Sequence, residues 1–235
     1  MQPGSGVESL SPATGWGVLH LFCKIAPSAD AEAVRQAVKD VTAGGEHQVV
    51  PFAVLGHKAD LGVLGVGPDL VRLRRLQTGL QRAGLRVEDS YVSLTEVSKY
   101  AKGMPAEMLD ARLHPTLPPA GMRAFCFYPM SKRRTNPDQN WYALPFEDRK
   151  QLMYEHGASG RTFKGRVLQL VTGSTGLDDF EWGVSLFGVR PDDLKECVYS
   201  MRFDRASAQF AEFGAFYTGI AGDLDDVLRE VGLLD

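Results

Sequence analysis

Chemistry-bearing side chains crowd the second half of the chain. Phe125-Cys126-Phe127-Tyr128-Pro129-Met130-Ser131-Lys132-Arg133-Arg134 is followed by Asn140-Trp141-Tyr142, Glu155-His156-Gly157 and Asp178-Asp179-Phe180-Glu181-Trp182-Gly183, and the first half has nothing comparable. His156 follows Leu152 by four residues and Met153 by three, so it lies on or beside the apolar stripe of a helix. Two readings stand. In one, Gly157 ends the helix and the imidazole bonds its last carbonyls. In the other, the imidazole aims into a pocket as a metal ligand or base. Arg202 is in line with Leu194 and Val198 at a spacing of four, on the stripe of its own helix. A buried arginine needs an anion, either Asp178, Asp179 or Asp204, or an anionic ligand. In the strand alternation Phe125 and Phe127 face one way, Cys126 and Tyr128 the other. Tyr128 then packs by its ring with its hydroxyl at the sheet edge. Lys132 and Arg133 read as solvated loop charge. Gln169, inside the apolar run Val167 to Val171, must hydrogen-bond to backbone, water or ligand. No catalytic triad, phosphate loop or metal-ligand spacing stands out.

The elements that must position these residues follow from period. A strand is expected at Trp16 to Ile25, a helix from Ala29 to Val41, strands at His47 to Leu55 and Leu61 to Val66, a helix from Pro68 to Gln81 and a strand at Arg86 to Val97. That order, βαββαβ, is the ferredoxin-like arrangement. Residues 101–121 hold four prolines and read as a linker. The order then repeats, with a strand at Arg123 to Met130 and a helix from Pro145 to Tyr154 or His156. Strands follow at Arg166 to Thr172 and Glu181 to Phe187, then a helix from Pro191 to Phe210 and a strand at Phe213 to Ile220. The expected organisation is a disordered leader over 1–14, units over 15–100 and 122–235, and two sheets packed into a barrel-like α+β core.

Composition narrows the classes. The 235 residues are 44% hydrophobic with a net charge of -3. That balance argues against nucleic-acid binding through phosphate neutralisation, and the arginines of Arg72 to Arg82 do not overturn it. No apolar run is long enough to span a bilayer. The N-terminus is rich in Gly, Ser and Pro and does not read as a signal peptide. Cys23, Cys126 and Cys197 are scattered through apolar segments, as suits reduced core thiols in a cytoplasm.

The run from FCFYPMSKRR through NWYALPFEDRKQLMYEHGASGRTFKGRVLQLVTGSTGLDDFEWGVSLFG to VYSMRFDRASAQFAEFGAFYTG resembles the chlorite dismutase-like superfamily, and within it the coproheme decarboxylases. GHKADLGVLGVGP at Gly56 to Pro68 and SYVSLTEVSKY at Ser90 to Tyr100 extend the likeness through the first half. The resemblance implies two ferredoxin-like units forming a dimeric α+β barrel, commonly assembled as a homopentamer. It implies that His156 is the proximal ligand of the iron of coproheme (iron coproporphyrin III), that Tyr128 forms the radical that attacks a propionate, and that Lys132 holds a propionate carboxylate. It puts Gln169 at the distal position and assigns Arg202, Ser207 and, with altered spacing, Arg112 to the propionates. Hydrogen peroxide is the implied oxidant, haem b the product and a ferrochelatase the supplier of coproheme. His114 is a further distal candidate. Chlorite dismutation in the family depends on a distal arginine where Gln169 stands, which argues against that activity. A chlorite dismutase-like enzyme, a peroxidase and a haem carrier without turnover are the alternatives.

Overall fold

The computed structural model describes residues 7–101, 103–135 and 139–235. The first half runs β1 (Gly17–Ile25), α1 (Ala31–Thr42), β2 (Gln48–Val54), β3 (Leu61–Gly67), α2 (Leu70–Arg82) and β4 (Leu85–Thr95). Asp30 and Asp69 cap the two helices through their carboxylates. Val34, Ala37 and Val41 of α1, and Leu73, Leu76 and Leu80 of α2, recur at helical spacing and are buried. The second half runs β5 (Ala124–Lys132), α4 (Phe146–Arg161), β6 (Val167–Gly173), β7 (Trp182–Gly188), α5 (Pro191–Met201), α6 (Arg205–Phe210), β8 (Ala211–Phe213), β9 (Tyr217–Ala221) and α7 (Leu224–Glu230).

The βαββαβ order is present twice, with five departures from expectation. The proline-rich stretch expected to be a plain linker contains a helix, α3 (Ala106–Leu113). The helix α4 does not stop at Gly157 but continues to Arg161. The helix expected over 191–210 is broken, because Asp204 bonds the N–H of Ser207 at 2.9 Å and starts α6 afresh. The last strand is interrupted too. Its two pieces, β8 and β9, pair with successive stretches of the same edge of β5. Finally, α7 was not expected at all. Of the expected leader, residues 1–6 lie outside the described residues, while Leu10 bonds the carboxylate of Asp69 and the N–H of Leu70.

In place of the two packed sheets expected, the strands form one antiparallel sheet of nine, in the order β7-β6-β4-β1-β3-β2-β9-β5-β8, because β2 pairs with β9 and β4 with β6 across the halves; β5 also pairs with β7, so the sheet closes. The barrel interior is filled by Phe22, Phe52, Phe125, Phe127, Leu170, Phe187 and Tyr217. On the outside, Leu19, Leu21 and Cys23 of β1 pack beneath α1 and α2. Cys126 and Tyr128 of β5 face outward instead, against α5 residues Leu194 and Cys197. This alternation fixes the register, since a slip of one residue would turn Tyr128 into the barrel.

Candidate functional site

The site is built on the outer face of the second half. Register across the sheet puts Gln169, Leu186 and Cys126 in one row and Val171, Val184 and Tyr128 in the next. Register partners share a face, so Gln169 and Tyr128 look out on the same side, towards α4, α5 and α6. Val171 in that row is 45% exposed, which leaves part of this apolar face uncovered.

The helix α4 brings His156 to the edge of this face. Its Nδ1 lies 3.0 Å from Oδ2 of Asp204 and 3.3 Å from the hydroxyl of Ser207. A carboxylate only accepts, so Nδ1–H donates and the ring's lone pair is on Nε2. Nε2 has no partner among the described residues. Asp204 is 4% exposed. Burial alone would raise its carboxyl, but hydrogen bonds and charge from His156, with the N–H and hydroxyl of Ser207, outweigh that and hold it below the usual range. Its other oxygen caps α6, so one carboxylate both starts a helix and orients an imidazole. Glu155 and Arg205, the neighbours of this pair, form an ion pair at 2.9 Å that ties α4 to α6.

Tyr128 is buried on β5, its ring stacked on Phe216 at 4.6 Å and edge-on to Phe213 at 5.6 Å. Burial raises the phenol, with Cys126 and Cys197 adding to the shift and Arg202 opposing it, so the hydroxyl keeps its proton near neutrality. Among the described residues that hydroxyl has no hydrogen-bond partner. Arg202 follows the last residue of α5 and is exposed, not in line with a buried stripe as the spacing suggested, because the helix ends at Met201. It pairs with none of the three aspartates. Its guanidinium lies 4.7 Å over Phe213, the ring against Tyr128.

Lys132 is not the solvated loop charge its position suggested. It ends β5, is 6% exposed, and its ammonium donates to the carbonyl of Ala206 at 3.0 Å and stands 4.6 Å over Trp141. Burial pushes it down to about 8, against the opposing charges of Asp204 and Glu181. The ammonium therefore faces α6 on the His156 side. Ser207 likewise turns its hydroxyl to Asp204, at 3.3 Å. Gln169 directs its amide to the sulfurs of Cys197 and Met201, at 3.4 and 3.7 Å. Arg112, in the last turn of α3, is exposed. His114 bonds Asp110 at 2.7 Å and packs on Trp16 at 5.1 Å.

The donor set fits an iron porphyrin. Among the described residues no three His, Cys, Asp or Glu converge as a metal held by protein alone would require. A porphyrin supplies four nitrogens of its own and asks the protein for one neutral imidazole, and His156 offers Nε2 with its tautomer fixed. Asp204, as the partner of His156, is the candidate that sequence reasoning missed. Its signal was there, since Asp204 and Ser207 stand three apart, the spacing of a helix start.

Comparisons with known proteins show the family to which the chain belongs. The sequence profile of the Chlorite dismutase family matches residues 28–222. A coproheme decarboxylase of Staphylococcus carnosus is 37% identical over 87% of this chain and 91% of its own length. A protein of Natronomonas pharaonis named as heme-binding is 40% identical over 87% of this chain, which spans only 39% of that longer relative. Among solved structures, a heme-binding protein of Thermus thermophilus superposes with a TM-score of 0.81 at 35% identity, covering 96% of this chain and 100% of that one. A variant of the chlorite dismutase of Candidatus Nitrospira defluvii shares the fold at a TM-score of 0.73 and 20% identity, over 94% and 96% of the two chains.

Proposed function

Because the chain belongs to the chlorite dismutase family, we propose that it converts coproheme to haem b by peroxide-dependent oxidative decarboxylation. An imidazole with one nitrogen tied to a buried carboxylate and the other open, in the same half as a buried phenol without a partner among the described residues, carries this reading. Each round turns one propionate, one peroxide and one proton into a vinyl group, one carbon dioxide and two waters. Two rounds give haem b.

When bound, the iron porphyrin supplies the oxidising power drawn from peroxide. His156 would hold the iron through Nε2, and Asp204 keeps the proton on Nδ1 so that this nitrogen stays available. Tyr128 gives up an electron and its hydroxyl proton, then takes a hydrogen atom back from the propionate. The second electron leaves the substrate as its carboxylate departs as carbon dioxide, and both electrons end on peroxide. With no protein acceptor at the Tyr128 hydroxyl, its proton passes to a substrate carboxylate or to water. Arg202 and, from α3, Arg112 would bind propionates through paired N–H donors. Gln169 stands across the sheet face from Tyr128 to serve the peroxide side. We assign Ser207 to the support of Asp204, which its hydroxyl bonds, and Lys132 to the underside of α6, where its ammonium holds the carbonyl of Ala206.

We extend the reading to a homopentamer, to a cytoplasmic setting that keeps Cys23, Cys126 and Cys197 reduced, and to transient contact with the ferrochelatase that supplies the substrate. The test is direct. Purified chain is mixed with iron coproporphyrin III, peroxide is titrated in, and porphyrin mass is followed. Successive loss of two carboxyl groups is expected; bleaching with all four retained would contradict it. The relatives named as heme-binding favour a second reading, a carrier that binds haem without turnover. That reading predicts tight binding and an unchanged porphyrin mass.

A further inference from the structure

The segment Gly56-His57-Lys58-Ala59-Asp60 joins β2 to β3, in the half that contributes no residue to the site proposed above. Most of its residues have a local reason. Gly56 has φ +96°, a conformation that strains residues with a Cβ. Ala59 is wholly buried in the barrel interior. Asp60 accepts from the Lys24 ammonium at 2.7 Å and from the N–H of Ile25 at 3.0 Å, while its own N–H bonds the carbonyl of Cys23 at 2.8 Å. This base is rigid, and Lys58 projects from it.

Lys58 crosses to the other half. Its ammonium donates to the carbonyl of Phe216 at 2.7 Å and stands 5.5 Å over the ring of Tyr217. Phe216 lies in the break between β8 and β9, where sheet pairing lapses. One end of that break is held by the N–H of Gly214 on the carbonyl of Pro129, at 2.8 Å. Lys58 holds the other end. A second tie between the halves runs from the N–H of Leu55 to the carbonyl of Thr218, also 2.8 Å. The ring of Phe216 is stacked on Tyr128 at 4.6 Å and 25°.

We infer that Lys58 is a positioning residue for Tyr128. By holding the Phe216 carbonyl it fixes the ring packed on the phenol, and with it the angle at which the hydroxyl meets the substrate. The inference rests on Tyr128 being the reacting phenol, as proposed above. It also gives the first half a part in the site, through the wall and not through the substrate.

Three chains decide it: wild type, Lys58→Met and Lys58→Arg. Without porphyrin, each is treated with tetranitromethane and the peptide containing Tyr128 is weighed, while amide exchange is followed over 213–217. Lys58→Met should nitrate at Tyr128 about tenfold faster, the opening expected from losing one hydrogen bond to a charged donor. Exchange over 213–217 should quicken with it, and Lys58→Arg should stay near the wild-type rate. With coproheme and peroxide, Lys58→Met should keep the wild-type KM and lose about tenfold in kcat, the scale of a small misplacement of a reacting group. Equal nitration and exchange in all three chains would overturn the inference, and so would unchanged kcat in Lys58→Met. If the wild type binds coproheme but leaves its mass unchanged, the decarboxylase reading fails, and the nitration contrast still reports whether Lys58 holds the wall.

Discussion

Asp204 gives one oxygen to the start of α6 and the other to Nδ1 of His156, so a single substitution separates folding from ligand tuning. Asn is as good a helix cap as Asp but carries no charge. Asp204→Asn should therefore fold, bind porphyrin about 10–100-fold more weakly, and lower the iron–histidine stretching frequency in resonance Raman spectra. An unchanged band would mean that Asp204 does not tune the ligand. His156→Ala should lose the band entirely. The sequence made His156 a candidate, because it stood beside an apolar stripe. It could not say that Asp204, forty-eight residues away, is the partner. That pairing depends on α6 packing against α4, which no local pattern encodes. Lys132 illustrates the reverse case. Its charge suggested solvent, yet β5 carries it under α6 to meet Trp141.

Strand order and helix order were legible because period-2 and period-3.6 patterns are local. Breaks within elements were less so. Gly157 read as a helix end, but a glycine costs only about 1 kcal/mol inside a helix, and α4, anchored by packing of Leu152 with Trp141, Ala206 and Phe210, runs on to Arg161. The break between β8 and β9 also has no room for a side chain at Gly214. A Cβ on Gly214 would lie 2.6 Å from Pro129 and 2.7 Å from Phe180, contacts that real side chains do not make. Gly214→Val should therefore lower stability by about 1–3 kcal/mol, the usual cost of overpacking. It should also shift Phe213 and Phe216, the rings around Tyr128. Urea midpoints test the first effect, and near-UV circular dichroism the second. Wild-type values for both would show that position 214 tolerates a side chain.

Closure of the barrel joins the two halves into one core and buries His20 completely, with Nε2 against Ser185 at 2.8 Å. Burial pushes this imidazole down to about 3 from its ordinary 6.5, and lowers His47 as well. Between those values the unfolded chain binds a proton that the folded chain refuses. Stability is thus unaffected by these groups above about pH 6.5 and falls on acidification below it, by about 1.4 kcal/mol per pH unit from His20. Urea midpoints measured from pH 7.5 to pH 4.5 should fall along that limb, and His20→Phe should flatten it; a limb of equal slope in the variant would refute the assignment. At this scale the sequence foresaw the doubled unit and the barrel, since each half repeats one order of elements. It did not foresee which face of the barrel carries the candidate site, because that choice lies in the register that turns Tyr128 outward. By the proposed reading this phenol, and not merely the porphyrin's surroundings, performs the decarboxylation. The most direct measurement compares porphyrin mass after peroxide titration of the coproheme complexes of wild type and Tyr128→Phe. The wild type should lose two carboxyl groups in turn, while Tyr128→Phe keeps all four beneath an unchanged iron–histidine band. Full conversion by Tyr128→Phe at the wild-type rate would contradict it.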